Sequence, residues 1–336
     1  MRRLIFILLL PLCLCACHRD RQFFPAESRM ERVDVSLVRF DAALLNVSRS
    51  TAMDDIRLLY DEYPDFMPVF VEDILGIPSL DTTFLCQALP DFLEDTLYGF
   101  RATNLVEKQL FADVSDIENE LSVAFTRLHY LYPELTIPQI YLFISGFNSS
   151  IMFFGDNIAI GADMYLGSDY EFYNRVVYDY QKLTMRKECI AADVVSAYLF
   201  RNLPYTATKS RLIDNMIYRG KIMYLLSQLL PDEQPWDVMG YTKDQWDWCI
   251  KYERAIWNTM MDKRDLFKTE SVVLTSYLND GPFTAEISQD APSRLGTWVG
   301  WRIAESYINH NDTVTLQQLM NESDAEHILE YSFYRP

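Results

Sequence analysis

One stretch limits the fold more than any other. Between Ile137 and Gly167 the runs IPQIYLFIS, SSIMFFGD and NIAIGADMYLG are short, rich in β-branched and aromatic residues, and broken at Gly146-Phe147-Asn148 and Gly155-Asp156-Asn157. Apolar runs of that length between glycine-bearing turns read as strands. No other part of the chain has this texture, so it has room for one small sheet, expected as an antiparallel meander. On both sides apolar residues recur at helical spacing: 36–46, 53–63, 66–75 and 114–132 before it, then 170–180, 186–201, 210–230, 242–262, 297–309 and a final pair near 313–330. Eleven glycines in 336 residues also argue against a protein built of tight turns. The predicted class is α+β, mainly helical with one small antiparallel β-meander.

Half of the residues are apolar (49%), enough for a substantial core. No Pro/Ser/Gly-rich linker and no repeat of 20–50 residues divides the chain. Residues 33–336 therefore read as a single globular domain, with a helical layer over 33–136 and the sheet-bearing part over 137–336. All six tryptophans lie between Trp236 and Trp301, which predicts an aromatic core there. The net charge of −18, with no local Lys/Arg cluster to reverse it, repels phosphate backbones and excludes nucleic acid as a partner.

The N-terminus, MRRLIFILLLPLCLCACHRDRQ, places Arg2 and Arg3 before a 13-residue apolar run, 4–16. That length suits a signal-peptide core. As a helix it reaches roughly 20 Å, short of a hydrocarbon layer of about 30 Å. Its end, Leu14-Cys15-Ala16-Cys17, resembles the lipobox of bacterial lipoproteins, which implies cleavage after residue 16 and a diacylglyceryl (palmitate-type) anchor on Cys17. Residues 1–16 are then the lipoprotein signal peptide, and 17–32 the lipidated cysteine and a short polar tether. The mature chain keeps 28 basic against 48 acidic side chains, near −20. His18 and Arg19 follow the anchor in place of an acidic pair, so the expected address is the outer membrane, facing the periplasm. Cys86, Cys189 and Cys249 remain; three thiols cannot all pair, and their apolar helical settings suit small buried side chains, with a single disulfide left open.

Motifs for common chemistry are missing. No G-x-S-x-G occurs, and Ser149-Ser150 falls in a hairpin. Gly155 and Gly161 are spaced wrongly for a phosphate loop. The stretch 61–72 imitates a calcium loop but carries Phe66 where glycine must stand. Of His18, His129, His310 and His327, no two lie four apart, so an H-E-x-x-H zinc site cannot be built. No metal or other cofactor is expected.

IAADVVSAYLFRNLP, 190–204, then gains interest. On a helix Ala192 and Ser196 are one turn apart on one face, with Asp193 beside the first. Zinc helices use this spacing, but these groups cannot hold zinc. Small residues here let a neighbour approach closely, and Asp193 can cap a helix or pair with a base such as Arg219. The next helix, RLIDNMIYRGKIMYLLSQLLPD, carries Gly220 mid-helix at a cost of about 1 kcal/mol against Ala, which close packing would offset. Ala192, Asp193, Ser196, Arg219 and Gly220 form the candidate cleft; no catalytic or metal-ligating residue is assigned.

IGADMYLGSDYEFY, LIDNMIYRGKIMYLLSQLLPD, MGYTKDQWDWCIKYERAIWN, APSRLGTWVGWRIAESYIN and the closing ILEYSFYRP, behind a lipobox, resemble the gliding-motility lipoproteins of the GldB type over most of 158–336. The order of segments is also similar to a family of predicted zinc proteases with H-E-x-x-H and a downstream Glu-Gly pair. There Ala192 and Ser196 stand at the histidine places, Asp193 at the glutamate, and Arg219 before Gly220 where a ligand glutamate is expected. The resemblance thus implies a zincin-like scaffold without its metal, a pseudoenzyme. It implies a non-catalytic envelope lipoprotein, accessory to gliding and secretion machinery, that holds a protein partner. Two alternatives stay open: a carboxylate-dependent or atypical-metal hydrolase of the envelope, whose second carboxylate the sequence does not name, and glycan capture through the tryptophans and tyrosines.

Overall fold

The sheet forms where the sequence changes texture, but its wiring is not a meander. In the computed structural model, which describes residues 21–78, 82–95 and 100–336, four strands, β1 (Leu37–Arg39), β2 (Ile140–Phe143), β3 (Ile151–Phe154) and β4 (Asn157–Gly161), lie in the order β1-β2-β4-β3. β1 with β2 and β2 with β4 are parallel; only β3 and β4 pair antiparallel. The expected hairpin is present at Gly155-Asp156, with Phe154 opposite Asn157. It folds so that β4 enters between β2 and β3. The reason lies in β2: it is apolar and buried at all four positions, which suits an interior strand covered on both faces.

The register of β2 and β4 divides the molecule into layers. Ile140 opposes Ile158 and Leu142 opposes Ile160, and all four belong to a larger core; Tyr141 opposite Ala159 belongs to a smaller one. Alternate side chains of one strand pair thus feed two cores, as a period of two requires. The smaller core is aromatic: Phe40 packs edge-on to Phe66 and Tyr63, and Phe66 meets Phe143 and Phe154.

Its walls are α1 (Phe40–Leu44), α2 (Ala52–Glu62), α3 (Met67–Val69) running on as a π-turn over Phe70–Ile74, and α4 (Thr82–Glu94). α5 (Phe100–Leu110) follows, then α6 (Ser115–Leu131), whose apolar face belongs to the larger core, with α7 (Tyr173–Val176), α8 (Ile190–Asn202), α9 (Leu212–Leu229), α10 (Pro235–Met239), α11 (Lys243–Asp262), α12 (Ser271–Leu278), α13 (Leu295–His310), α14 (Leu316–Asn321) and α15 (Ala325–Ser332) beyond it. Starts are set locally: Thr242 and Gln245 cap α11 reciprocally, as Thr315 and Gln318 cap α14.

The helical periods at 53–63, 66–75, 114–132, 210–230, 242–262, 297–309 and near the C-terminus correspond to helices. Segment 36–46 begins instead as β1 and turns helical only at Phe40. Segment 170–180 holds just α7, because the Tyr173 hydroxyl accepts from the Leu166 amide (2.9 Å) and donates to the Asp163 carbonyl (2.8 Å), folding the chain back early. α4, α5, α10 and α12 lie outside the segments whose spacing predicts a helix.

α9 is buried nearly all round, the mark of a central helix. It crosses α13 at two glycines: a Cβ on Gly220 would sit 1.9 Å from the Gly300 carbonyl carbon, and one on Gly300 1.8 Å from the Met216 oxygen. This is the close packing that the mid-helix glycine predicts. Trp298 and Trp301 are buried beside it, with Trp246 edge-on to both, so the tryptophans serve the core. Cys86, Cys189 and Cys249 are free.

The stretch expected to be a signal peptide, Cys17 and His18 lie outside the described residues. Of the stretch read as a tether, residues from Arg21 are docked: the Arg21 guanidinium donates to the carbonyls of Asn311 (3.2 Å) and Val314 (2.7 Å), and Phe23 lies edge-on to Tyr224. Among the described residues no helix is long and apolar enough to cross a membrane.

Candidate functional site

The site is assembled from the sheet outward. Asp163, in the turn that follows β4, is fully buried and accepts from the backbone of Ser145 (2.7 Å) and Phe147 (2.5 Å) and from the Ser145 hydroxyl (3.1 Å). It thereby fixes the loop after β2. Burial raises its carboxyl above the ordinary value even so. Two residues on, the Tyr165 hydroxyl donates to Asp193 Oδ2 at 2.9 Å. Asp193, in the first turn of α8, faces a cavity of about 230 Å³ lined also by Ser150, Gln245, Asp280 and Arg294.

Burial pushes the Asp193 carboxyl up to about 6, while the Tyr165 hydrogen bond and then the Arg294 charge pull it down. Arg294 enters from the residue before α13, in left-handed backbone (φ 58°), with Nε 2.9 Å from Asp280 and Nη2 donating to the Met239 carbonyl. Arg294 and Asp280 also border a second, shallower chamber of about 410 Å³ with Ser196, Arg219, Met223 and Leu278. The ion pair is thus the partition between two adjoining chambers of one cleft.

The sequence-derived candidates divide accordingly. Asp193, Ser196 and Arg219 are brought to the cleft walls. Ala192 is buried in the larger core, and Gly220 lies in the α9–α13 crossing, away from either chamber. Asp193 does not pair with Arg219. The Arg219 guanidinium donates to the Leu278 carbonyl (2.7 Å), one of the unsatisfied oxygens at the end of α12, and Tyr165 takes the place at Asp193. Burial and then the neighbouring Arg294 lower the Arg219 pKa.

Tyr165, Asp280 and Arg294 are the residues that sequence reading missed. Tyr165 and Arg294 fall inside the family-like stretches, but only the fold aims them at Asp193. Asp280 sits in the turn Asn279-Asp280-Gly281-Pro282, whose composition signals a turn and nothing more.

The histidines lie elsewhere: His129 near Glu31 (3.9 Å), His310 against Ser306, and His327 beside Glu322 (3.0 Å). Among the described residues no group of three His, Cys, Asp or Glu side chains is placed to hold a metal ion. A further cavity of about 350 Å³ contains Lys221, lowered to about 8 by burial, but its ammonium is already bound by the carbonyls of Met320 (3.1 Å) and Glu322 (2.6 Å). The Asp193 cleft, lined by Ser150, Tyr165, Gln245, Asp280 and Arg294 as well as Asp193, offers a ligand the larger set of polar side chains.

No curated protein and no solved structure matches the chain. The family model described as gliding motility protein GldB matches residues 23–336, which includes both cores, the sheet and every wall of the cleft. The chain belongs to the GldB family of gliding-motility lipoproteins.

Proposed function

We propose that the chain is a non-catalytic accessory of the gliding and secretion machinery, anchored through Cys17 to the periplasmic side of the outer membrane, and that a segment of a protein partner enters the cleft at Asp193. Residues 33–336 act as one unit in this reading. The observation that carries it is the wall chemistry: Tyr165, Asp193, Gln245 and the Arg294–Asp280 pair converge on about 230 Å³, room for one or two side chains of a peptide with hydrogen bonds on several sides. The zincin-like resemblance read from the sequence supports it, since the implied ligand places hold Ala192, Ser196 and Arg219.

The test uses Gln181, an exposed residue at the mouth of the cavity. In cells lacking the chain, Gln181→Trp, which fills the mouth, reaches the envelope but fails to restore gliding. Leu58→Trp, an exposed position on α2 beside the other core, restores it fully. Full rescue by Gln181→Trp removes the cleft from the function.

One observation favours a second reading, an envelope hydrolase. A carboxyl raised to about 6 shares its cavity with a second carboxylate, Asp280, and such pairs can divide acid and base roles. Turnover of an envelope peptide or glycan by the purified chain, lost in Asp193→Asn, would replace the binding reading.

A further inference from the structure

We propose that the aromatic tip formed by Tyr331 and Phe333 rests on the lipid surface that carries the anchor, an inference that takes from the proposed function only the acylation of Cys17. The start of the folded chain and this tip meet at one residue. Asn311 accepts from the Arg21 guanidinium through its carbonyl (3.2 Å), and its side-chain amide donates to the Tyr331 carbonyl (3.0 Å). Arg21 is four residues beyond Cys17. Consecutive Cα atoms are about 3.8 Å apart, so that interval spans at most about 15 Å. The headgroup layer on each side of a bilayer is about 6 Å deep. An acylated Cys17 therefore holds this face, and not the opposite one, against the membrane.

The tip is built to display rings outward. Ser332 and Tyr334 turn in: the Ser332 carbonyl accepts from the Ser306 hydroxyl (2.8 Å), and the Tyr334 hydroxyl donates to Glu253 (2.9 Å). Tyr331 and Phe333 turn out, 45% and 58% exposed, the Phe333 ring leaning on His310. Phe333 holds φ at 50°, a conformation uncommon outside glycine. A tyrosine ring settles at the boundary between headgroups and acyl chains, and a phenylalanine beside it buries its apolar ring just beneath. Charge cannot supply the contact: the mature chain is near −20, and Arg21 and Arg335 around the tip are offset by Asp312 and Glu330. The anchor supplies proximity, and the rings fix orientation.

The test uses the full acylated chain in phosphatidylethanolamine/phosphatidylcholine vesicles whose acyl chains are brominated near the headgroup or left unbrominated. Phe333→Trp adds emission that bromine quenches, above the background of the six native tryptophans. Leu58→Trp adds emission that bromine leaves unchanged. Tyr331→Trp repeats the measurement if the first variant fails to fold. Equal quenching at positions 333 and 58 in a chain that floats with vesicles, and no longer floats as Cys17→Ser, overturns this inference and leaves the anchor intact. A chain that does not float, or still floats as Cys17→Ser, overturns the anchor and this inference with it.

Discussion

Gly220 and Asp193 belong to one candidate cleft by sequence, yet the fold gives them opposite environments. At Gly220 two helices touch backbone to backbone, and no atom larger than hydrogen fits. At Asp193, on the neighbouring α8, the walls part around a polar cavity whose carboxyl is stabilised by one tyrosine hydroxyl and one nearby arginine. A dry glycine crossing holds the frame, and beside it a polar cleft stands open. Positional resemblance to a motif identifies neither; the packing does.

The largest way to break this contrast is to add a methyl group to the crossing. Gly220→Ala drives its Cβ into the Gly300 carbonyl. It is expected to cost about 3 kcal/mol or more, the upper range for overpacking against backbone that cannot yield. Urea unfolding of the full chain measures it. Gly300→Ala, whose Cβ meets the Met216 oxygen, costs similarly, and the double variant costs less than the two together because the helix separation that one methyl forces also makes room for the other.

Next is the cleft carboxyl. Its folded pKa, about 6, lies above its ordinary value. The protonated form is thus favoured by the fold, and the stability it contributes is fully present below the ordinary value of 3.8 and lost as pH rises through about 6. Asp193→Asn removes that loss, so the stability difference, variant minus wild type, grows by up to about 3 kcal/mol between pH 3 and 7 at about 1.4 kcal/mol per pKa unit. Denaturation midpoints across that range decide it; a flat difference contradicts the burial of Asp193.

Arg294→Gln is a smaller change. Losing the ion pair to Asp280 and a bond to the Met239 carbonyl costs about 1–2 kcal/mol. It also removes a charge that lowers the Asp193 pKa, so Asp193 must titrate at higher pH than in the wild type, as carboxyl NMR would read. Smallest of all is Gln181→Trp, expected within about 0.5 kcal/mol of wild-type stability at its exposed position. A cleft that accepts an indole beside a crossing that rejects a methyl is the contrast at its sharpest.

Much of the fold is legible in the sequence for reasons that can be named. The one β-rich window gives the sheet, and periodic apolar positions give α2, α6, α9, α11 and α13. What is not legible is pairing. IYLF reads as a strand in any arrangement, and only the two cores that it separates make it interior and parallel. β1 hides because three extended residues run directly into a helix, and one helical period covers both. At the site Asp193, Ser196 and Arg219 could be named from spacing, whereas Tyr165, Asp280 and Arg294 converge from a sheet end, a turn and a helix start far apart in sequence. The choice of Tyr165 over Arg219 depends on the open carbonyl at the end of α12, which no local pattern announces.

The most direct test of the cleft as a partner site is a photocrosslinking amino acid placed at Gln181 in the full chain in living cells, with the same group at Leu58 as reference. An envelope protein is expected to be joined at Gln181 and not at Leu58, and to be lost when Asp193→Lys, shown to be folded, is added. Crosslinks identical at the two positions, or unchanged by Asp193→Lys, would contradict that expectation.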